Sequence, residues 1–198
     1  MMDYWNTDSI ACQIHLANLY TELYPSDMYG WVVLADGLGG VSSFEKASRA
    51  LQKARRLCPD NVRSFIYTRI GRFYREKGDH ARAEKWYRKA VNEEQSQENL
   101  VFLGACLAKQ GKYSEARTFH SEAVTFSPES ADEAFFNLGL IHRAEENYVE
   151  ALRFFQKAIQ IDTDYDEAKT AEKDILKLFE IRRTVENKRL RPKRSLDT

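Results

Sequence analysis

The chain has 198 residues, with 30 Lys and Arg against 30 Asp and Glu. Its formal net charge is therefore zero, and no global field draws it toward nucleic acid or an anionic membrane. Hydrophobic residues make up 43% of it, enough for a packed core. The most apolar stretch, Leu100 to Ala108, is far shorter than the roughly 18 residues a spanning helix needs. Met1-Met2-Asp3-Tyr4-Trp5-Asn6 lacks the basic and then apolar order of a secretory signal, and the expectation is a soluble, cytoplasmic protein.

Residues 8 to 24 read as a first helix, with Ile10, Ile14, Leu16, Leu19, Tyr20 and Leu23 as its apolar side and Pro25 closing it. From Trp31 onward one pattern of large and small apolar residues recurs four times. The first copy is Trp31, Leu34, Ala35, Leu38, Ala47, Leu51, Ala54 and Pro59; the second is Tyr67, Ile70, Gly71, Tyr74, Ala83, Tyr87 and Ala90. The third is Leu100, Leu103, Gly104, Leu107, Ala116, His120, Ala123 and Pro128, and the fourth Phe135, Leu138, Gly139, His142, Ala151, Phe155 and Ala158. Successive copies are offset by 36, 33 and 35 residues, a period that marks repeat architectures. The first four matched residues stand at i, i+3, i+4 and i+7 and the later trio at i, i+4 and i+7, so each copy predicts two amphipathic helices. Small residues (Ala35, Gly71, Gly104, Gly139) beside bulky ones predict close helix approach, outweighing the 0.8–1.0 kcal/mol or so that Gly costs in a helix.

These residues carry a family resemblance. The order W-x2-L-G-x2-Y, then A-x3-F and a closing Pro, is that of the tetratricopeptide repeat, and over residues 28 to 165 the chain resembles a member of that family. Gln95 and Thr163 stand where a closing Pro would be, and Asp36-Gly37-Leu38-Gly39-Gly40 is unusually rich in Gly. The resemblance implies an all-α fold: a right-handed α-solenoid of four helix-turn-helix repeats, about 28–61, 64–96, 97–130 and 132–165. Residues 1–27 would hold an N-terminal capping helix, 166–187 a C-terminal capping helix, and 188–198 a basic, disordered tail. In the last helix Ala168, Ala171, Ile175, Leu178 and Phe179 are available to pack on the fourth pair; an alternative is that it pairs with a partner or a second copy. Lys188-Arg189-Leu190-Arg191-Pro192-Lys193-Arg194 also fits a nuclear-import signal or a contact with nucleic acid or acidic protein.

Catalytic and metal signatures are weak, and no cofactor is expected. Cys12, Cys58 and Cys106 are odd in number and widely spaced, which favours reduced thiols. His120 and His142 fall where the repeat buries an aromatic ring and lack an evident third ligand, so a structural role is expected. Gly37-Leu38-Gly39-Gly40 lacks the Lys-Ser/Thr of a phosphate loop; it reads as the end of a helix, with Gly accepting positive φ at the turn. Carboxylates such as Glu84, placed for Arg88, read as a solvated face.

Function then rests on the surface presented. The resemblance implies that the first helix of each pair lines a concave groove for a peptide or helix, which marks a non-enzymatic protein-binding adaptor. The candidate stripe is Tyr29, Val32, Val33 and Asp36, then Phe65, Thr68, Arg69, Arg72 and Arg75, then Val101, Phe102 and Ala105, then Phe136, Asn137, Leu140 and Arg143. Three Phe with an arginine cluster suit an acidic and hydrophobic ligand, unless those arginines pair with Glu76 and other nearby carboxylates. Val32, Asp36 and Arg69 replace the Lys and Asn of the two-carboxylate clamp, which argues against a chaperone C-terminus. The other readings are a structural subunit with its groove permanently occupied, and a helical-repeat RNA binder, disfavoured by neutral charge.

Overall fold

Where the repeat pattern calls for helices, the chain forms them. The computed structural model describes residues 9–190, and among these there are ten α-helices, two short 3-10 turns and no strand. Helix α1 is Ile10–Leu23; the pairs that follow are α2 (Met28–Gly40) with α3 (Phe44–Leu57), and α4 (Arg63–Glu76) with α5 (His80–Glu93). Next come α6 (Gln97–Lys109) with α7 (Tyr113–Phe126), α8 (Asp132–Ala144) with α9 (Tyr148–Ile161), and finally α10 (Asp166–Leu190). The last helix thus includes the first three residues expected in the basic tail, while the remainder of that tail, 191–198, lies outside the described residues. Residues up to Phe119 form one compact unit and those from His120 a second.

Five helix starts are set by side-chain caps, whereas α3, α4 and α8 begin without one. Ser9, Asp27, Asp79, Ser96 and Asn147 each accept a bond from a backbone N–H in the first turn of the helix they precede. The turn inside each pair repeats one geometry. The N–H of Ser43, Asp79, Lys112 and Asn147 reaches back to the carbonyl of Leu38, Tyr74, Leu107 and His142, at 2.8 to 3.0 Å. The residue before each donor has positive φ: Ser42 (58°), Gly78 (79°), Gly111 (75°) and Glu146 (60°). This is a Schellman ending, which requires a left-handed residue at that point. The glycine-rich run at Gly37 to Gly40 was expected to supply the first turn, but it is helical, and the left-handed residue is Ser42. Gly37 serves close approach instead: a Cβ there would lie 2.9 Å from Ile14 Cγ1 of α1.

Within each pair the matched residues pack as their spacing implies. In the first unit Leu34, Ala35, Leu38, Ala47, Leu51 and Ala54 share one buried cluster with Ile66, Ile70 and Phe73. In the second unit Ala151 and Phe155 share a cluster with Ala171 and Ile175 of α10. Gly71 lies against Tyr87 and Gly139 against Phe155 so closely that a Cβ would come within 2.7 and 2.5 Å of the ring. The α1 surface differs from expectation. Its buried residues are Ala17 and Thr21, with Ile14 partly covered, whereas Ile10, Leu16, Leu19, Tyr20 and Leu23 are exposed. The helix is apolar on several sides, and the small residues mark the side α2 can approach.

Two polar side chains behave unlike solvated ones. Glu84 keeps only 13% of its side-chain surface, accepting bonds from Arg88 Nε (2.9 Å), Gln110 Nε2 (2.9 Å) and Lys112 Nζ (2.7 Å). Burial acts to raise its pKa, yet these donors outweigh it and bring the carboxyl down to about 2. It ties α5 to the turn after α6 and is not the surface ornament its spacing suggested. His120 is fully buried, neither ring nitrogen has a partner, and burial pushes its pKa from 6.5 to about 4. His142 is half-buried and stacks on Phe154 at 5.2 Å.

Glycine is the low-strain choice at the four turns. Replacing Glu146 with Gly is expected to raise the unfolding free energy by about 0.5–1 kcal/mol, and Gly78→Ala or Gly111→Ala to lower it by about 1 kcal/mol, in urea melts. His120 folds neutral, so the unfolded chain takes up its proton first; stability is whole above about pH 6.5 and falls as pH drops toward 4. His120→Phe, which matches the ring at Phe155, is expected to remove about 2 kcal/mol of the loss between pH 7 and 5, read from denaturant melts at the two values.

Candidate functional site

The candidate residues of the first unit form a continuous surface across α2, α4 and α6. Tyr29 and Phe65 rings stand 5.7 Å apart, and the Arg69 guanidinium lies over Phe65 at 5.0 Å while Nη1 reaches Asp36 Oδ2 at 3.4 Å. Arg72 Nε donates to Glu76 Oε1 at 2.8 Å, and Arg75 lies over Phe102 at 5.5 Å. The three arginines therefore spread. Residues three apart on an α-helix drift by about 60° per step, so Arg69 leans toward α2, Arg75 toward α6, and Arg72 stands between. Burial raises the Asp36 pKa, and the charges of Arg69 and Arg72 oppose that rise. Among the described residues Arg75 makes no ion pair, and its partner is the Phe102 face.

A buried amide fixes this surface. Asn99 Nδ2 donates to Ser64 Oγ (2.8 Å) and to the Glu94 carbonyl (2.9 Å), and Thr68 Oγ1 donates to Asn99 Oδ1 (2.7 Å). The bonds to Ser64 and Thr68 hold α6 on α4 and the bond to Glu94 fixes the turn before α6, which places Phe102 beneath Arg75. Val32 and Val101, expected in the groove, are buried at 3% and 4% exposure. Thr68 occupies the matching place in α4 and is committed to Asn99. In α4 that position faces the neighbouring first helix, a contact that periodicity within one pair does not reveal.

In the second unit Phe136 sits 5.6 Å from the Phe155 ring and 5.0 Å from Tyr165. Phe136, Leu140 and Arg143 line a cavity of about 370 Å³ with Asp166, Glu167 and Asp174 of α10. Arg143 also lies 5.9 Å over Phe155, and Asn137 is half-buried. The three carboxylates of α10 were not foreseen as part of this surface. Their i, i+1 and i+8 placement puts them on one side of α10, but only the docking of α10 beside α8 turns that side to the candidate residues.

Comparison with known proteins bears on what such a surface is. Family models described as tetratricopeptide repeat match residues 66–96 and 96–164. The chain belongs to the tetratricopeptide repeat family. Human protein O-mannosyl-transferase TMTC1 is 37% identical over 59 residues, which are 30% of this chain and 7% of that protein. A TPR repeat-containing protein of Methanocaldococcus jannaschii is 24% identical over 142 residues, 72% of this chain and 25% of that one. The chain thus spans a quarter or less of either relative's length. The crystal structure of YrrB, a TPR protein with an unusual peptide-binding site, superposes with a TM-score of 0.63 at 23% identity, covering 85% of this chain and 94% of that one. The shared fold makes this tetratricopeptide repeat protein a protein-protein interaction module in the general sense. No helix among the described residues is long and apolar enough to cross a membrane.

Because Asn99 satisfies three groups of a buried network, Asn99→Ala is expected to lower stability by about 2 kcal/mol and to weaken any ligand contact made through Phe102. Urea melts of the variant against wild type check the first of these.

Proposed function

We propose that this chain is a non-enzymatic adaptor whose first helices take an acidic and hydrophobic peptide or amphipathic helix. The observation that carries the reading is the array of two rings, Phe65 and Phe102, each roofed by a guanidinium, with Arg72 between them. A ligand carboxylate can bond the outer edge of such a guanidinium while its flat face stays on the ring, and an apolar ligand side chain can cover the ring's open part. The present partners do not block this. Arg72 and Glu76 remain 44% and 40% exposed in their side chains, and exposed pairs contribute only about 0–1 kcal/mol. A charge-assisted bond to a ligand in a desolvated interface contributes about 1.5–3 kcal/mol, so exchange is favourable.

The acidic ligand belongs on the first unit. Around Arg143 the carboxylates of Asp166, Glu167 and Asp174 outnumber the single cation, so that surface suits apolar or basic ligand residues. YrrB, with its peptide-binding site on a similar fold, supports the general mode of use.

A fluorescein-labelled amphipathic peptide of Glu and Leu, with a Lys and Leu counterpart, tests the reading by anisotropy. The Glu peptide is expected to bind, Arg72→Glu to weaken it about tenfold, and Glu76→Gln to tighten it about threefold by releasing Arg72. Equal binding of the Lys peptide, or an unchanged affinity in Arg72→Glu, overturns it.

A further inference from the structure

Helix α1 occupies the place of a second helix, and among the described residues no first helix precedes it. Its ending Leu23-Tyr24-Pro25 matches Leu57-Cys58-Pro59 at the end of α3, and in that register Leu16, Ala17 and Tyr20 correspond to Ala50, Leu51 and Ala54. In α3 those three are buried in the core shared with α2, at 4% exposure or less. In α1 Leu16 and Tyr20 are 52% and 42% exposed, because among the described residues no first helix precedes α1.

The same vacancy shows on α2. Residues matching Tyr29, Gly30 and Val33 in later pairs touch the preceding first helix: Phe65 meets Tyr29, Arg69 meets Asp36, Asn99 meets Ser64 and Phe102 meets Arg75. On α2 itself Tyr29 and Val33 are left 53% and 55% exposed. Between α1 and α2 these residues enclose an apolar cavity of about 460 Å³. Its position is the seat that α2 fills beside α4 and that α4 fills beside α6.

The far part of α10 touches its own unit through Arg182, which lies 5.0 Å over the Tyr148 ring of α9, and leaves its apolar side chains uncovered. From Glu180 to Asn187 every side chain is exposed, and Ile181 and Val185, one turn apart, keep 52% and 43% of their surface. Their separation of about 6 Å along the axis equals that of Tyr29 and Val33. Charge is complementary as well. Residues 9–40 hold Glu22, Asp27 and Asp36 and no Lys or Arg, with Asp27 lining the cavity and Asp36 paired to Arg69, whereas residues 177–190 hold five Lys or Arg against two Glu.

We propose that the far part of α10 from one copy docks in the α1 and α2 seat of a second copy, completing its first pair. Such a contact is heterologous: each copy offers one seat and one helix, so association continues head to tail until a geometric limit or another occupant ends it.

Sedimentation velocity over a wide dilution series tests this on the full chain. Wild type is expected to grow in mass with concentration and to dissociate as salt rises. Val33→Glu, which blocks the seat, and the double variant Ile181→Glu with Val185→Glu, which blocks the helix, are each expected to stay monomeric. Their melting curves are expected to match wild type, since all three sites are exposed. Mixed together, the two variants retain one intact seat and one intact helix and are expected to form a heterodimer that grows no further. A wild type that stays monomeric throughout, or variants that fail to complement, overturns the proposal. Should Val33→Glu fail to fold, Arg182→Glu with Arg183→Glu replaces it as the charge test. Unchanged association in that variant counts equally against the contact.

Discussion

Two helices of a pair can close only where one of them contributes almost no side chain, and the space so made is filled by a ring from the other. Gly71 under Tyr87 and Gly139 under Phe155 are the plainest cases, since a methyl group at either glycine would overlap the ring. The constraint sets which face of each first helix turns inward, and it leaves the opposite side of α4 and α6 to carry Phe65, Arg72 and Phe102. The ring is chosen for volume. Tyr87 holds a buried hydroxyl with no partner, and burial pushes its pKa up to about 12, so the position accepts a polar atom at some penalty rather than lose the ring's bulk.

Alternation of large and small residues made the four helix pairs legible before any coordinates, because it records contacts inside a pair at fixed offsets. Other contacts left weaker traces. The turns at Gly78 and Gly111 announce themselves, whereas Ser42 and Glu146 take the same left-handed backbone without a glycine to show it. Val32 and Val101 lie between the matched positions and so looked available to a ligand, yet both are buried, and Thr68 at the matching place in α4 bonds Asn99 of the next first helix. That packing involves three helices, and its register shows only when successive pairs are laid together, as with Asn99, Ser64 and Thr68.

The candidate surface was legible in its residue types but not in its partition of charge. Arg69, Arg72 and Arg75 read as a cluster in sequence, and helical drift distributes them over three different partners. Arg143 read as a residue of the same candidate stripe, and α10 sets three carboxylates beside the cavity it lines. An acidic ligand would therefore meet favourable contacts on α4, whereas the surface of α8 beside α10 favours a basic one. Neutral overall charge hid this because opposite local fields cancel in the sum.

The same cancellation governs the ends of the described chain. An acidic segment without a single Lys or Arg, at residues 9–40, and a basic helix end, at 177–190, contribute nothing visible to a net charge of zero. Separately each is ordinary; together with an apolar seat on one and an exposed apolar stripe on the other, they constitute two halves of a helix-pairing contact. A repeat protein gains most of its stability from neighbour interfaces, so an exposed terminal interface is the place where adding another helix yields the largest return in buried area. Solubility ordinarily demands that such a face be polar. Here Leu16, Tyr20, Tyr29 and Val33 keep it apolar, and a contiguous exposed face of that character marks a place where another chain binds.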